Sequence, residues 1–138
     1  MMLWTARDLA EATGGAMAVP FDASGVSIDT RTLAPGEMFV ALLGEGRDGH
    51  AFAGAALARG AAGAMVHADA PGVPPGAPLL RVDDTLDALA RLGAYARGRF
   101  QGRAAAVTGS VGKTTTKEML RIALSPLGPT HAAVASYN

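Results

Sequence analysis

The sequence predicts an α/β protein in two parts, a small mixed α/β domain followed by the beginning of a second, parallel-sheet domain. Three observations carry that prediction. Short apolar runs of strand length alternate with segments whose apolar residues recur at helical spacing. Gly and Pro punctuate the connections between them. Near the C-terminal end, the apolar run Arg103 to Thr108, a glycine turn and the helix-forming stretch Lys113 to Leu124 follow in that order.

Each element has its own signal. Thr5 is placed to cap a helix through about Thr13, with Leu9 and Ala12 inward and Gly14-Gly15 as the stop. Val26 to Asp29 and Glu37 to Leu42 read as strands, separated by the turn Leu33-Ala-Pro-Gly36. Gly44 to His50 reads as a polar glycine loop, and the run from Ala51 to Gly60 as a helix ended by that glycine. Ala64 to Val66 and Leu79 to Val82 are two more strands, joined by the Pro- and Gly-rich loop 69–78. Asp84 or Thr85 caps a further helix with an apolar stripe of Leu86, Leu89, Leu92, Tyr95 and Phe100. The domain boundary is expected near 82–84, giving domains 1–83 and 84–138, with the alternative near 102.

Composition narrows the class. The chain of 138 residues is 49% hydrophobic and 17% charged, long enough for a real core and too apolar for a disordered polyelectrolyte. Twelve basic and twelve acidic residues cancel, so neither nucleic acid nor an anionic membrane is expected as a partner. The absence of cysteine excludes disulfides, thiolate zinc sites and cysteine nucleophiles. Charged residues Arg7, Asp8 and Glu11 interrupt the N-terminal segment where a signal peptide needs an apolar stretch, and a cytoplasmic protein is expected.

Two stretches carry chemistry. In Val107-Thr-Gly-Ser-Val-Gly-Lys-Thr-Thr-Thr-Lys-Glu-Met119, glycines at 109 and 112 allow close approach of consecutive N–H groups to an anion, and the helix that follows adds its positive end. Lys113 supplies a point charge for outer phosphates, and Thr114 a hydroxyl for a magnesium ion bridging them. The common loop pattern has a glycine where Val107 stands, so only the shorter form is present. The second stretch pairs Ser27-Ile-Asp-Thr-Arg31 with Gly44-Glu-Gly-Arg-Asp-Gly-His50. Hydroxyls of Ser27 and Thr30, the forked donors of Arg31 and Arg47, and loop N–H groups suit the diphosphate of a nucleotide sugar, though polar loop residues at strand ends also occur simply as turns. The three histidines, His50, His67 and His131, are far apart with no ligand-like spacing, and Trp4 has no evident aromatic partner.

Together, Gly25-Val-Ser-Ile-Asp-Thr-Arg31, the run Gly36 to Gly44, Asp48-Gly-His-Ala-Phe52 and the Thr108 to Met119 loop resemble the amino-terminal part of the Mur ligase family, with Thr116-Lys-Glu-Met119 favouring its MurF type. The short loop is that family's form. The resemblance covers nearly the whole chain. It implies a first domain that binds UDP-N-acetylmuramoyl-tripeptide and a central ATPase domain, cut short here, that activates the peptide carboxylate as an acyl phosphate for attack by D-alanyl-D-alanine in peptidoglycan precursor synthesis. By position, Ser27, Asp29, Thr30, Arg31, Arg47, Asp48, Gly49 and His50 would bind the muramoyl peptide, together with Asn138 at the start of an asparagine-rich segment. Gly109, Ser110, Val111, Gly112, Lys113, Thr114 and Thr115 would bind ATP, with Lys113 and Thr114 catalytic and Thr114 on Mg2+.

The resemblance also implies three domains over a longer, monomeric enzyme, so the 138-residue chain is expected to be inactive alone and to leave apolar surface and strand edges open beyond about residue 103. Two other readings stay open: a non-catalytic module for UDP-sugar peptides, and an unrelated nucleotide-binding protein using only the phosphate loop.

Overall fold

The computed structural model describes residues 1–134; the expected substrate-binding residue Asn138 lies outside the described residues. The chain divides into two compact units, Met1–Phe100 and from Gln101 onward.

The first unit is built on a five-stranded sheet. Its strands are β1 (Ala16–Met17), β2 (Val26–Ser27), β3 (Met38–Val40), β6 (Gly63–Val66) and β7 (Leu79–Arg81), in the order β1-β7-β6-β3-β2. The neighbours β2, β3, β6 and β7 run parallel, and β1 lies antiparallel on β7 with Ala16 opposite Arg81. A two-residue edge strand straight after a helix stop carries no periodicity by which it could be read in advance.

Strand geometry sends successive side chains to opposite faces, so each central strand feeds two cores. Met38, Val40, Met65 and Leu80 point to one face, where helix α1 (Ala6–Thr13) and helix α3 (Thr85–Arg99) add Leu9, Ala88 and Leu92. Phe39, Ala41, Ala64 and Val66 point to the other, where helix α2 (Ala53–Ala58) adds Ala53 and Ala56. Each fully buried Leu or Met is worth about 1.5–3 kcal/mol against exposure, and these pairs knit helices to both sheet faces.

The helix ends follow their predicted signals. Thr5 caps α1 through a reciprocal pair with Asp8, Thr5 Oγ1 accepting from the Asp8 amide at 3.1 Å and Asp8 Oδ2 from the Thr5 amide at 3.0 Å. Gly14 ends the helix at φ 70°, a left-handed angle that favours glycine. Asp84 caps α3 by accepting from the Asp87 amide at 2.8 Å.

Two expectations are corrected here. The boundary falls after Phe100 rather than near 83, because α3 packs on α1 and the sheet of the first unit; Ala88 and Leu92 are buried there, whereas Leu86 and Phe100 of the expected stripe face solvent. The alternative boundary near 102 is the one the packing matches. Trp4 also has a partner: its ring lies 6.1 Å from that of Tyr95, and the Arg99 guanidinium sits 4.1 Å above it.

The second unit holds helix α4 (Lys113–Leu124) and a 3-10 turn, Ser125–Leu127. Arg103 to Thr108, expected as a strand, forms none: a strand requires a hydrogen-bonded neighbour, and among the described residues this segment has no strand partner. Nothing in α4 is buried, and Met119 and Ile122 stay 65% and 63% exposed.

Candidate functional site

Because β2, β3, β6 and β7 are parallel, their C-terminal ends share one edge of the sheet, the edge at which open α/β sheets receive ligands. Ser27 ends β2, Ala41 follows β3, His67 follows β6, and Thr85 starts α3 just beyond β7. The predicted residues of the first unit gather at this edge in two separate groups.

The first group turns tightly on itself. Ser27 Oγ donates to the Asp29 carbonyl at 3.0 Å and accepts from the Asp29 amide at 3.3 Å. Asp29 takes the Arg31 amide at 2.9 Å and its guanidinium through Nε at 3.0 Å and Nη2 at 2.7 Å. The Arg31 guanidinium and then its amide hold the Asp29 carboxyl down to about 2. Arg31 stays 82% exposed, with Nη1 taking no part in the pair. Thr30 is half-buried in the same turn.

The second group corrects the expected open loop: Leu43–Gly44 (β4) and Arg47–Asp48 (β5) form an antiparallel hairpin, turned at Gly46 with φ 70°. Gly49 follows, its amide donating to the Leu42 carbonyl at 2.8 Å, so that amide is engaged in the fold. A Cβ on Gly49 would lie 2.6 Å from the Leu42 nitrogen, which explains why this position is glycine. His50 is fully buried. Its Nε2 accepts from the His67 amide at 3.1 Å, which leaves the ring proton on Nδ1, donated to Asp48 Oδ1 at 2.6 Å. The His50 amide, at 2.9 Å, and then the ring hold the Asp48 carboxyl below the usual carboxylate range. Arg47 is exposed, and the ion pairs of this unit, Arg31 with Asp29, Arg91 with Asp87 and Arg99 with Asp8, leave it out.

Sequence reasoning missed His67 and Thr85 as members of this edge. The His67 ring stands 4.4 Å from that of His50, and its Nδ1 lies 3.0 Å from Thr85 Oγ1, whose own proton goes to the Ala41 carbonyl at 2.7 Å. No motif marks His67, and Thr85 was legible only as a helix start. A cavity of about 510 Å³ elsewhere in the unit, under the 69–78 segment, holds none of these residues.

In the second unit the phosphate loop has the local form its sequence asks for. Gly109 and Gly112 take φ 150° and 78°, and Gly112 precedes α4 without any side-chain cap, so the first amides of the helix have no side-chain acceptor. Ser110, Val111, Thr114 and Thr115 are exposed and Lys113 half-buried. Among the described residues of this unit, ion pairs join Glu118 to Arg121 at 2.8 Å and Lys117 at 3.6 Å, leaving Lys113 out. Uncapped amides, a lysine and a threonine hydroxyl are a donor set that fits polyphosphate and its magnesium; among the described residues no group of three His, Asp or Glu stands ready for a metal alone.

A mostly parallel α/β unit with exposed arginines at one sheet edge is followed by a glycine loop and helix start whose donor set would suit a phosphorylated ligand. The pattern described as Mur ligase family, catalytic domain, matches residues 22–97, and the chain belongs to that family. The matched stretch holds both edge groups and stops short of the loop. The chain is 41% identical over 115 residues to a UDP-N-acetylmuramoyl-tripeptide–D-alanyl-D-alanine ligase of Synechocystis, covering 83% of this chain and 25% of that protein. It is 40% identical over 112 residues to a UDP-N-acetylmuramoyl-L-alanyl-D-glutamate–2,6-diaminopimelate ligase of Gloeobacter violaceus, covering 79% and 23%.

Among solved structures, a crystal structure of MurF from Acinetobacter baumannii superposes with a TM-score of 0.76 at 40% identity, over 91% of this chain and 28% of that one. MurF from Thermotoga maritima in complex with ADP gives 0.57 at 34% identity, over 73% and 23%. The resemblance to the amino-terminal part of MurF-type ligases is thereby borne out, and the chain spans about a quarter of the length of these relatives.

Proposed function

We propose that this chain is the substrate-recognition and phosphate-loop portion of an ATP-dependent ligase that joins D-alanyl-D-alanine to UDP-N-acetylmuramoyl-tripeptide in peptidoglycan precursor synthesis. The supporting observation is the sheet edge: two self-bonded motif groups present Arg31 and Arg47, with Arg47 outside the ion pairs among the described residues, beside the carboxyl ends of parallel strands. Forked guanidinium donors in that position suit a diphosphate. On this reading residues 1–100 hold the UDP-muramoyl end and residues from 101 hold nucleotide, in a monomeric cytoplasmic enzyme serving cell-wall growth, cell shape and division. No described helix is long and apolar enough to cross a membrane.

Bound ATP with Mg2+ would supply the phosphoryl group that turns the peptide carboxylate into an acyl phosphate, the species an amine can attack. The chain's own part is positional and electrostatic. Lys113 and the free amides at the start of α4 neutralise outer phosphate oxygens, and the Thr114 hydroxyl offers a magnesium ligand. Ligases for D-alanyl-D-alanine and for diaminopimelate match this segment about equally well, and their names share the UDP-N-acetylmuramoyl group. The segment therefore serves what the two reactions have in common, and the choice of incoming amine belongs to other parts of the enzyme.

Calorimetric titration with UDP-N-acetylmuramoyl-tripeptide and, separately, with Mg-ATP tests the reading. Binding of the muramoyl peptide without ATP, retained in Lys113→Ala, is the expected result; the same variant loses ATP. Tight ATP binding with no response to the muramoyl peptide overturns the assignment of the first unit and favours a nucleotide-binding protein of another kind.

A further inference from the structure

We propose that His50, His67 and Thr85 form a positioning relay that fixes the Arg47-bearing hairpin against the ligand edge of the sheet, and that His50 acts through this relay instead of touching substrate. Three observations carry it. His50 is fully buried and both ring nitrogens are committed, Nδ1 to Asp48 at 2.6 Å and Nε2 to the His67 amide at 3.1 Å, so the ring has no donor or acceptor left for a ligand. The path then continues without a gap: His67 Nδ1 to Thr85 Oγ1 at 3.0 Å, and Thr85 Oγ1 to the Ala41 carbonyl at 2.7 Å. Its two ends are a hairpin of two-residue strands and the first residue of α3, and it ties both to the residue that follows β3.

The bonds made by the His50 ring and by the Thr85 hydroxyl have fixed directions. Thr85 gives its only hydroxyl proton to Ala41, and His67 Nδ1 lies against both the Thr85 hydroxyl, at 3.0 Å, and the Thr85 amide, which donates to it at 3.4 Å. His50 must keep Nε2 bare to receive the His67 amide, so its proton faces Asp48. Thr85 holds the His67 ring, the His67 amide fixes the tautomer of His50, and the partner of His50, Asp48, adjoins Arg47 on β5. Removing the Thr85 hydroxyl therefore acts on a hairpin that Thr85 itself does not touch.

The functional half of this inference rests on the proposed muramoyl-peptide binding; the structural half does not. The test compares the full chain with Thr85→Val, which keeps shape and loses the hydroxyl, and Thr85→Ser, which keeps the hydroxyl. In Thr85→Val, amide hydrogen exchange over residues 43–48 is expected to quicken while α1 and β6 keep their protection, and affinity for UDP-N-acetylmuramoyl-tripeptide is expected to fall by up to about tenfold, the equivalent of one hydrogen bond. Thr85→Ser restores both. Imidazole nitrogen shifts should report the Nδ1-protonated ring for His50 in the wild-type chain. Unchanged hairpin exchange in Thr85→Val, or a His50 ring protonated on Nε2, overturns the relay. A wild-type chain that shows the tautomer and exchange pattern but does not bind the muramoyl peptide overturns the ligand assignment and keeps the relay.

Discussion

The two units use their motif residues in opposite ways. In the first, Asp29, Asp48, Gly49 and His50 are bonded to neighbours before any ligand arrives, and removing one disturbs the fold as well as the site. In the second, the glycines precede, and Lys113 and Thr114 begin, a helix that buries nothing and is capped by no side chain. A site made from fold-bearing residues is rigid and costly to alter; a site made from idle backbone amides can be changed with little structural consequence. The contrast teaches that motif strength in sequence and structural commitment are different things.

The contrast can be broken first by moving the chain end. A chain stopped at residue 83 loses α3, uncovering Leu9, Leu80 and Trp4, and at about 1.5–3 kcal/mol per large side chain this exceeds much of a domain's usual margin of about 5–15 kcal/mol. Its cooperative melting by circular dichroism is expected to vanish, whereas a chain stopped at residue 100 should melt as the longer one does.

Within the full chain, Leu92→Ala should destabilise the first unit by about 2–5 kcal/mol, while the same kind of truncation on the open helix, Ile122→Ala, should stay within about 0.5 kcal/mol. Denaturant unfolding distinguishes the two. Equal effects would mean that α4 is covered after all.

Gly49→Ala sharpens the comparison at single-atom scale. The new Cβ would meet the Leu42 nitrogen at 2.6 Å and oxygen at 2.7 Å, backbone atoms that cannot swing away. Overpacking of this kind costs about 1–3 kcal/mol and should show as a lowered melting temperature. Lys113→Ala, by comparison, should leave melting where it is and remove only the response to Mg-ATP.

The smallest effect is a pH dependence. Asp29 titrates at about 2 in the folded chain and near the ordinary value of 3.8 when unfolded. A depressed carboxylate stabilises the fold above its unfolded pKa, and that contribution is lost as pH falls from about 4 towards about 2. Arg31→Met should return the Asp29 midpoint, followed by carboxyl carbon shifts, to the normal carboxylate range.

Much of the first unit was legible because its signals are local. Thr5 and Asp84 cap helices three residues ahead, Gly14 and Gly60 end them, and the apolar runs at 38–40 and 64–66 are buried on both faces. What escaped was settled at a distance. The antiparallel strand at Ala16 exists because β7 offers an open edge, and the hairpin within 43–48 because Leu42 anchors Gly49. The expected strand at 103–108 fails for the converse reason, having no described neighbour to pair with.

The candidate site divides the same way. Ser27, Asp29, Arg31 and Asp48 are recognisable from their spacing, and their turns close within a few residues. His67 and Thr85 reach the edge only because parallel strands bring the ends of β6 and β7 together, a relation that no pattern in a single segment can express. The domain boundary was misjudged because an amphipathic helix shows which face is apolar but not which partner covers it.

The packing of Arg99 over Trp4 has a spectroscopic consequence. The chain contains a single tryptophan, buried at the junction of the N-terminal segment, α1 and α3. All indole emission therefore comes from the first unit. Heating or denaturant will shift that emission only when the α1–α3 seam opens, while the helix that follows the phosphate loop can unwind in silence. One fluorescence trace set beside one helicity trace would separate the two units without labels, mutations or ligands.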